Sequence, residues 1–245
     1  MVAPRHLTNA PITEAVLDLR VILPANVEPQ TLKTVQALIA KDYPTVRERR
    51  RLEGQVQFRV GESPKEVILD KGPDGYLFTS TDEKQVVQFR LDGFTFSRLK
   101  PYQNWKSMCA EARRLWRIYV GVASPEIISR VALRYINQLK IPLSIKDFTE
   151  YLVAAPSIPG QLPHSMTSFL TRIVIGDSSI GASANIIQAM ESVSDGNVIL
   201  DIDVYKQADF DVEGEDAWEM LDKLHNFKNS IFFESVSEKM LELYR

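Results

Sequence analysis

The sequence predicts an α+β protein in which two pseudo-repeats pool their strands into one curved antiparallel sheet, covered on one face by two long helices. Three observations lead to this. The order strand, helix, three strands, long helix occurs twice. A shift of about 114 residues lays the strand at Glu14 on that at Ser129, and Trp105 on Trp218. Each half alone leaves a sheet face that its own helix covers poorly, whereas a joint sheet buries both apolar helix stripes.

Taken in order, residues 15–23 alternate Val16, Asp18 and Arg20 with Leu17, Leu19 and Val21, the period of a strand with a buried face. Pro24 and Pro29 punctuate it. Leu32, Val35, Leu38 and Ile39 then fall at helical spacing over 31–43, and Pro44 ends the run. Strands are expected over 55–60, 75–81 and 86–99, the last broken at Asp92-Gly93, where positive φ suits a hairpin turn. Phe58, Tyr76, Phe78, Phe94 and Phe96 on these strands are expected in the core. After Pro101, the residues Trp105, Met108, Cys109, Ala112, Leu115, Trp116, Tyr119 and Val120 form a wide amphipathic stripe.

The second half repeats the order. A strand over 127–141 places Val131, Leu133 and Tyr135 on one face. A short helix over 146–153 follows, with Ser144 as its cap. Strands over 168–175, 184–193 and 198–206 come next, with Asp195-Gly196 as a turn between the last two. Glu213, Glu215 and Asp216 suit the positive end of a final helix. That helix carries Trp218, Leu221, Leu224, Ile231 and Phe232 and continues or restarts to Leu243, with Ser237 a candidate new cap. The proline-rich stretch 153–168 is expected to be a surface loop or a lid over a sheet face. The chain is thus expected as one domain, 1–245, built of halves 9–123 and 124–245. The layout resembles the TATA-binding-protein and helix-grip class, an analogy of architecture that carries no function.

Three stretches together resemble a family. They are NAPITEAVLDLRV at 9–21, RVALRYINQLKIP at 130–142 and FKNSIFFESVSEKMLELY at 227–244. They are similar to a sporadically distributed group of uncharacterised bacterial and archaeal proteins. Its members open with a Pro-Ile-x-Glu-Ala strand, carry an Arg-Tyr-x-Asn segment mid-chain and end in a Phe-x-x-Ile/Val-Thr/Ser helix. The recurrent positions fall on Pro11, Glu14, Arg134, Tyr135 and Asn137; Ser237 stands where many members have Thr, keeping a capping hydroxyl. The resemblance implies a full-length module of bacterial type and brings no activity with it. A sporadic distribution would suit an accessory component of a mobile defence or toxin–antitoxin cassette.

Composition narrows the function classes. With 44% hydrophobic and 25% charged residues, 11 Gly and 13 Pro, the chain is an ordinary globular one. Lys+Arg total 29 against Asp+Glu 32, so net charge is -3, without the global attraction to phosphate or anionic lipid of a dedicated nucleic-acid or membrane-surface protein. Cys109 alone permits no intrachain disulfide, and no opening signal peptide or apolar membrane run occurs, so a cytoplasmic protein is expected.

His6, His164 and His225 are scattered without the spacing of a metal site; no metal or cofactor is expected. Cys109 lies on an apolar stripe, where an inert buried thiol belongs. Serine-hydrolase elbows and common phosphate loops are absent from the sequence. The basic run Arg47, Arg49, Arg50 and Arg51, with Arg113, Arg114 and Arg117, reads as a solvated helix end and a polar helix face.

One constellation stands out. Asp201 and Asp203 share one face of a strand, opposite Leu200, Ile202 and Val204, while Glu14 and Arg134 lie on the strands that open the halves. These residues, with Asn137, are the candidate ligand-binding set: cross-strand ion pairs at their simplest, or hard oxygen ligands for Mg²⁺. The leading functional reading is a non-enzymatic binding protein using a sheet groove for a protein, peptide or small ligand; a homodimer stays open. A metal-dependent phosphodiester or nucleotide hydrolase and a nucleic-acid-binding protein are the alternatives.

Overall fold

The computed structural model describes residues 7–57, 65–142, 147–157, 166–192 and 195–245. His6, Phe58, Ser144 and His164 lie outside these residues, as do 158–165 of the proline-rich stretch. Nine strands form one antiparallel sheet in the order β2-β3-β4-β5-β1-β6-β9-β8-β7. They are β1 (Ile12–Ile22), β2 (Thr45–Gln57), β3 (Lys65–Thr79), β4 (Gln85–Arg90), β5 (Gly93–Leu99), β6 (Ile127–Lys140), β7 (Phe169–Asp177), β8 (Ala182–Met190) and β9 (Asn197–Phe210). The long helices are α3 (Trp105–Ala123) and α4 (Asp216–Ser235); α1 (Pro29–Lys33), α2 (Gln36–Ile39) and α5 (Glu238–Glu242) are short. The protein is therefore α+β, with a sheet continuous through both halves. Among the described residues, no helix is long and apolar enough to cross a membrane.

The seam between the halves is the β1–β6 ladder, with Leu17 opposite Leu133 and Asp18 opposite Ala132. In each half the opening strand also pairs with the closing one, β1 with β5 and β6 with β9. Strand alternation sends Ala15, Leu17, Leu19, Val131, Leu133, Tyr135, Leu200, Ile202 and Val204 to one face, where all are buried. Both long helices lie on that face: Tyr135 reaches Met108 of α3 and the ring of His225 on α4. An aromatic cluster packs α3 onto its half, Tyr119 stacking on Phe89 at 5.8 Å and Trp116 meeting Phe94 edge-on at 5.7 Å. Asn104 caps α3 by accepting from the Ser107 amide at 2.8 Å, and Ser237 caps α5 as expected.

Several expectations change. The helix over 31–43 is two short pieces joined by i→i+3 turns such as Val35 to Leu32, which leaves Leu38 exposed while Leu32, Val35 and Ile39 stay buried. The arginine run is no helix end but part of β2, whose long ladder with β3 outweighs weak strand propensity. Arg49 pairs with Asp74, and Arg50 lies 2.7 Å from Glu48 and 2.8 Å from Asp70. On α3, Arg113 pairs with Glu215 and Arg114 with Glu111. In place of the helix over 146–153, one 3₁₀ turn at Phe148–Glu150 is capped by Asp147, and Leu152 bridges Val236 beyond α4. The β4–β5 turn is Leu91-Asp92, and Gly93 opens β5. The two sheet edges differ: β2 is charged, whereas β7 exposes Leu170, Ile173 and Val174.

On the face away from the helices, Asp18 anchors the centre of the sheet. It accepts from Arg90 and from the Thr95 hydroxyl, both at 2.8 Å, and from Arg130 at 3.3 Å. Arg90 is only 5% exposed, so this pair is largely removed from water. Asp18→Ala is expected to cost about 2 kcal/mol in urea unfolding, because the buried Arg90 loses one of its two carboxylate partners and keeps only Asp92, 3.1 Å away. Gly93 has φ +154, and a Cβ there would lie 2.2 Å from the Leu19 carbonyl oxygen. Gly93→Ala should therefore destabilise by more than ~1 kcal/mol in the same assay.

Candidate functional site

The predicted residues divide between the two faces of the sheet. Arg134, on β6, makes a bidentate pair with Asp201 on β9, Nε to Oδ1 at 2.9 Å and Nη2 to Oδ2 at 2.6 Å. Asp203 faces Arg134 in register but lies 3.5 Å from Arg130, whose guanidinium also covers the Tyr205 ring at 4.7 Å. Glu14, opposite Ile136, is near enough to add to the field that holds the Arg134 guanidinium charged. Burial raises the Asp203 carboxyl above its ordinary range, with Arg130 and Arg134 opposing. The geometry thus brings together Arg134 and Asp201, with Glu14 and Asp203 beside them, as cross-strand ion pairs. Asn137 stands apart on the opposite, helix-covered face.

There it belongs to a cavity of about 520 Å³ between the sheet and the two long helices. Alternation along β6 sends Tyr135 and Asn137 inward together. Pro11 and Ile12 of the β1 end, Tyr102 and Trp105 at the start of α3, and His225, Lys228 and Phe232 of α4 complete its walls. Asn137 is 2% exposed and donates its Nδ2 to the Tyr135 and Leu200 carbonyls at 3.3 and 3.0 Å, so Oδ1 is the acceptor its amide retains. The Tyr102 and Tyr135 hydroxyls are 3.1 Å apart. His225 stacks on Trp105 at 4.8 Å, and the Trp105 indole donates to Asp222 at 2.6 Å, tying the two helices together over the cavity.

Lys228 is the unusual group. It falls in the apolar stripe of α4, one turn after Leu224 and one before Phe232, and is 6% exposed. Its Nζ lies 3.7 Å from the centroid of the Tyr135 ring, and among the described residues no carboxylate, carbonyl or hydroxyl pairs with it. A ring face attracts an ammonium but replaces little of its lost hydration. Burial accordingly draws the Lys228 amine down to about 7 and the His225 imidazole down to about 3. Burial also pushes the Tyr102 hydroxyl up to about 12 and Tyr135 well above the usual phenol range. Near neutral pH the tyrosines are O–H donors and His225 is uncharged. Among the described residues, the cavity offers Lys228 no anion.

The sequence did contain a signal for this site. Lys228 and His225 interrupt the run Trp218, Leu221, Leu224, Ile231, Phe232 at positions that face the core. A polar residue inside an otherwise apolar stripe is a local inconsistency of the kind found at functional sites. Cys109, by contrast, is half-buried with its thiol raised by burial, as an inert core position requires. No protein-family model matches the chain, and no curated protein matches it.

Stability should report the buried amine directly. Between about 7 and its ordinary value of 10.5, the unfolded chain carries a proton on Lys228 that the folded chain lacks. Stability therefore climbs with pH across that window and is lost as pH falls through the folded value. Urea unfolding at pH ~7 and ~9 is expected to show this rise in the wild type. The rise should shrink in Lys228→Met, which should also be the more stable protein at pH ~7.

Proposed function

We propose that this chain is a non-enzymatic binding protein that admits a small ligand, with an apolar body and one polar end, into the cavity between its sheet and the helices α3 and α4. The observation that carries this reading is Lys228: a long basic side chain retained in a core stripe, lining a cavity and, among the described residues, given a ring face but no carboxylate. The cavity volume lies within the range that small-molecule sites occupy. Its lining mixes aromatic and aliphatic side chains with convergent polar groups, among them Lys228, Asn137, Asn229 and the tyrosine pair. The ion-paired face offers a ligand less, because Asp201 and Asp203 each already face an arginine.

Two finer readings accompany this one. The mirrored pairings, β1 with β5 and β6 with β9 on either side of the central ladder, favour a duplication of one strand-and-helix unit. Of the five positions that carry the family resemblance, Pro11, Tyr135 and Asn137 line the cavity. A shared ligand site would account for their recurrence.

Anilinonaphthalene sulfonate, an aromatic anion whose fluorescence rises out of water, tests the site. One saturable binding site is expected, weakened at least about tenfold by Asn229→Trp, which fills the cavity from α4. The double variant Leu170→Lys, Ile173→Lys, which replaces two of the exposed apolar side chains of β7, should bind like the wild type. Unchanged binding by Asn229→Trp, or loss in the β7 variant, would overturn the proposal.

A further inference from the structure

Binding at this cavity leaves open why the polar end should meet a lysine rather than an arginine or an amide. We infer that the cavity captures an aldehyde or ketone, the Lys228 amine adding to the carbonyl carbon to form an imine. This rests on the cavity being a ligand site and specifies its ligand class.

A lysine kept to clamp a carboxylate or phosphate would gain from other donors or cations converging on the same anion. Here Nζ meets a tyrosine ring at 3.7 Å; the neutral amides of Gln103, Asn104, Asn137 and Asn229 also line the cavity, but among the described residues no second cation does. Burial outweighs the attraction of the ring face for an ammonium and leaves a free amine, the nucleophilic form, present near neutral pH. An exposed lysine at the same pH is almost wholly protonated. Arginine, which cannot lose its proton, could not replace it.

The chemistry balances without an external redox partner. The nitrogen lone pair attacks the carbonyl carbon, a C–N bond forms, and the carbonyl π pair moves to oxygen. That oxygen takes up a proton and the nitrogen releases one, giving a carbinolamine. The hydroxyl then takes a second proton, the C–O bond breaks to release water, and the nitrogen lone pair forms the C=N bond as its remaining proton leaves, so that amine plus carbonyl becomes imine plus water. The Tyr102–Tyr135 pair, its hydroxyls 3.1 Å apart and both held in the phenol form, is the O–H source beside Lys228 for the developing alkoxide. The Tyr102, Trp105, Ile202 and Phe232 side chains of the lining fit a carbonyl compound with an apolar substituent.

Trapping tests this on the full chain. The protein is treated with benzaldehyde and cyanoborohydride near pH 7, and the benzylated lysines are mapped by mass spectrometry. A single adduct at Lys228 is expected, formed at least about tenfold faster than at exposed lysines such as Lys106 and Lys223. It should be absent from Lys228→Met and Lys228→Arg and should block anilinonaphthalene sulfonate binding. Labelling spread evenly over the lysines overturns the inference. So does tight binding of benzoate without trapping of benzaldehyde, which would make Lys228 an ammonium clamp. If anilinonaphthalene sulfonate binds the cavity but no Lys228 adduct forms, only the imine falls and the binding site stands. If neither occurs, both fall.

Discussion

The antiparallel ladder between β1 and β6 is the contact on which the rest of the molecule depends. It joins the two halves into one sheet and sets, by its register, which side chains of nine strands face the helices. A slip of one residue would send Leu17 and Leu133 to the open face and Asp18 into the core. Asp18 itself guards that register. Its carboxylate is held by Arg90 from β4, Thr95 from β5 and Arg130 from β6, so four neighbouring strands share one acceptor. A slipped ladder would take the Asp18 carboxylate away from these donors.

The two faces of this sheet resolve polar burial in opposite ways. On the open face nearly every charge has its complement: Asp18 among its arginines, Arg134 with Asp201, Arg130 near Asp203. Such pairs align strands and leave little unsatisfied charge for a ligand to exploit. On the covered face the apolar stripes of α3 and α4 close over Leu133, Leu200 and Val204, yet Asn137, His225 and Lys228 interrupt them. A cavity lies where these polar residues and the aromatic rings of Tyr102, Tyr135 and Trp105 meet. The electrostatic imbalance of the molecule is therefore concentrated under the helices, and that moves the functional reading from the exposed face to the sheltered one.

The Arg-Tyr-x-Asn segment shows how one short motif serves both faces. Alternation on β6 directs Arg134 outward to its ion pair and Tyr135 and Asn137 inward to the cavity. Asn137 spends its amide protons on the backbone of its own strand and of β9, which stiffens the cavity floor. Tyr135 presents a ring face to Lys228 and a hydroxyl to Tyr102.

Local pattern alone determined the strands of period two, the amphipathic α3 and α4, the Ser237 cap and the pooling of both halves into one sheet, since each follows from which side chains must leave water together. It could not determine how the chain over 31–43 breaks, because there the packing of Leu32, Val35 and Ile39 outweighed the helical spacing that included Leu38. Nor could it place the arginine run on an edge strand, where pairing with β3 decides conformation against propensity. It put Arg134 and Asn137 in one candidate set. Only the register, through the two-residue repeat of β6, set them on opposite faces. The cavity was the least legible feature of all, because its walls come from β1, β6, α3 and α4, far apart in the chain. A lysine in an apolar stripe is visible in the sequence, but whether it reaches water, finds a carboxylate or stands alone depends on what folds against it.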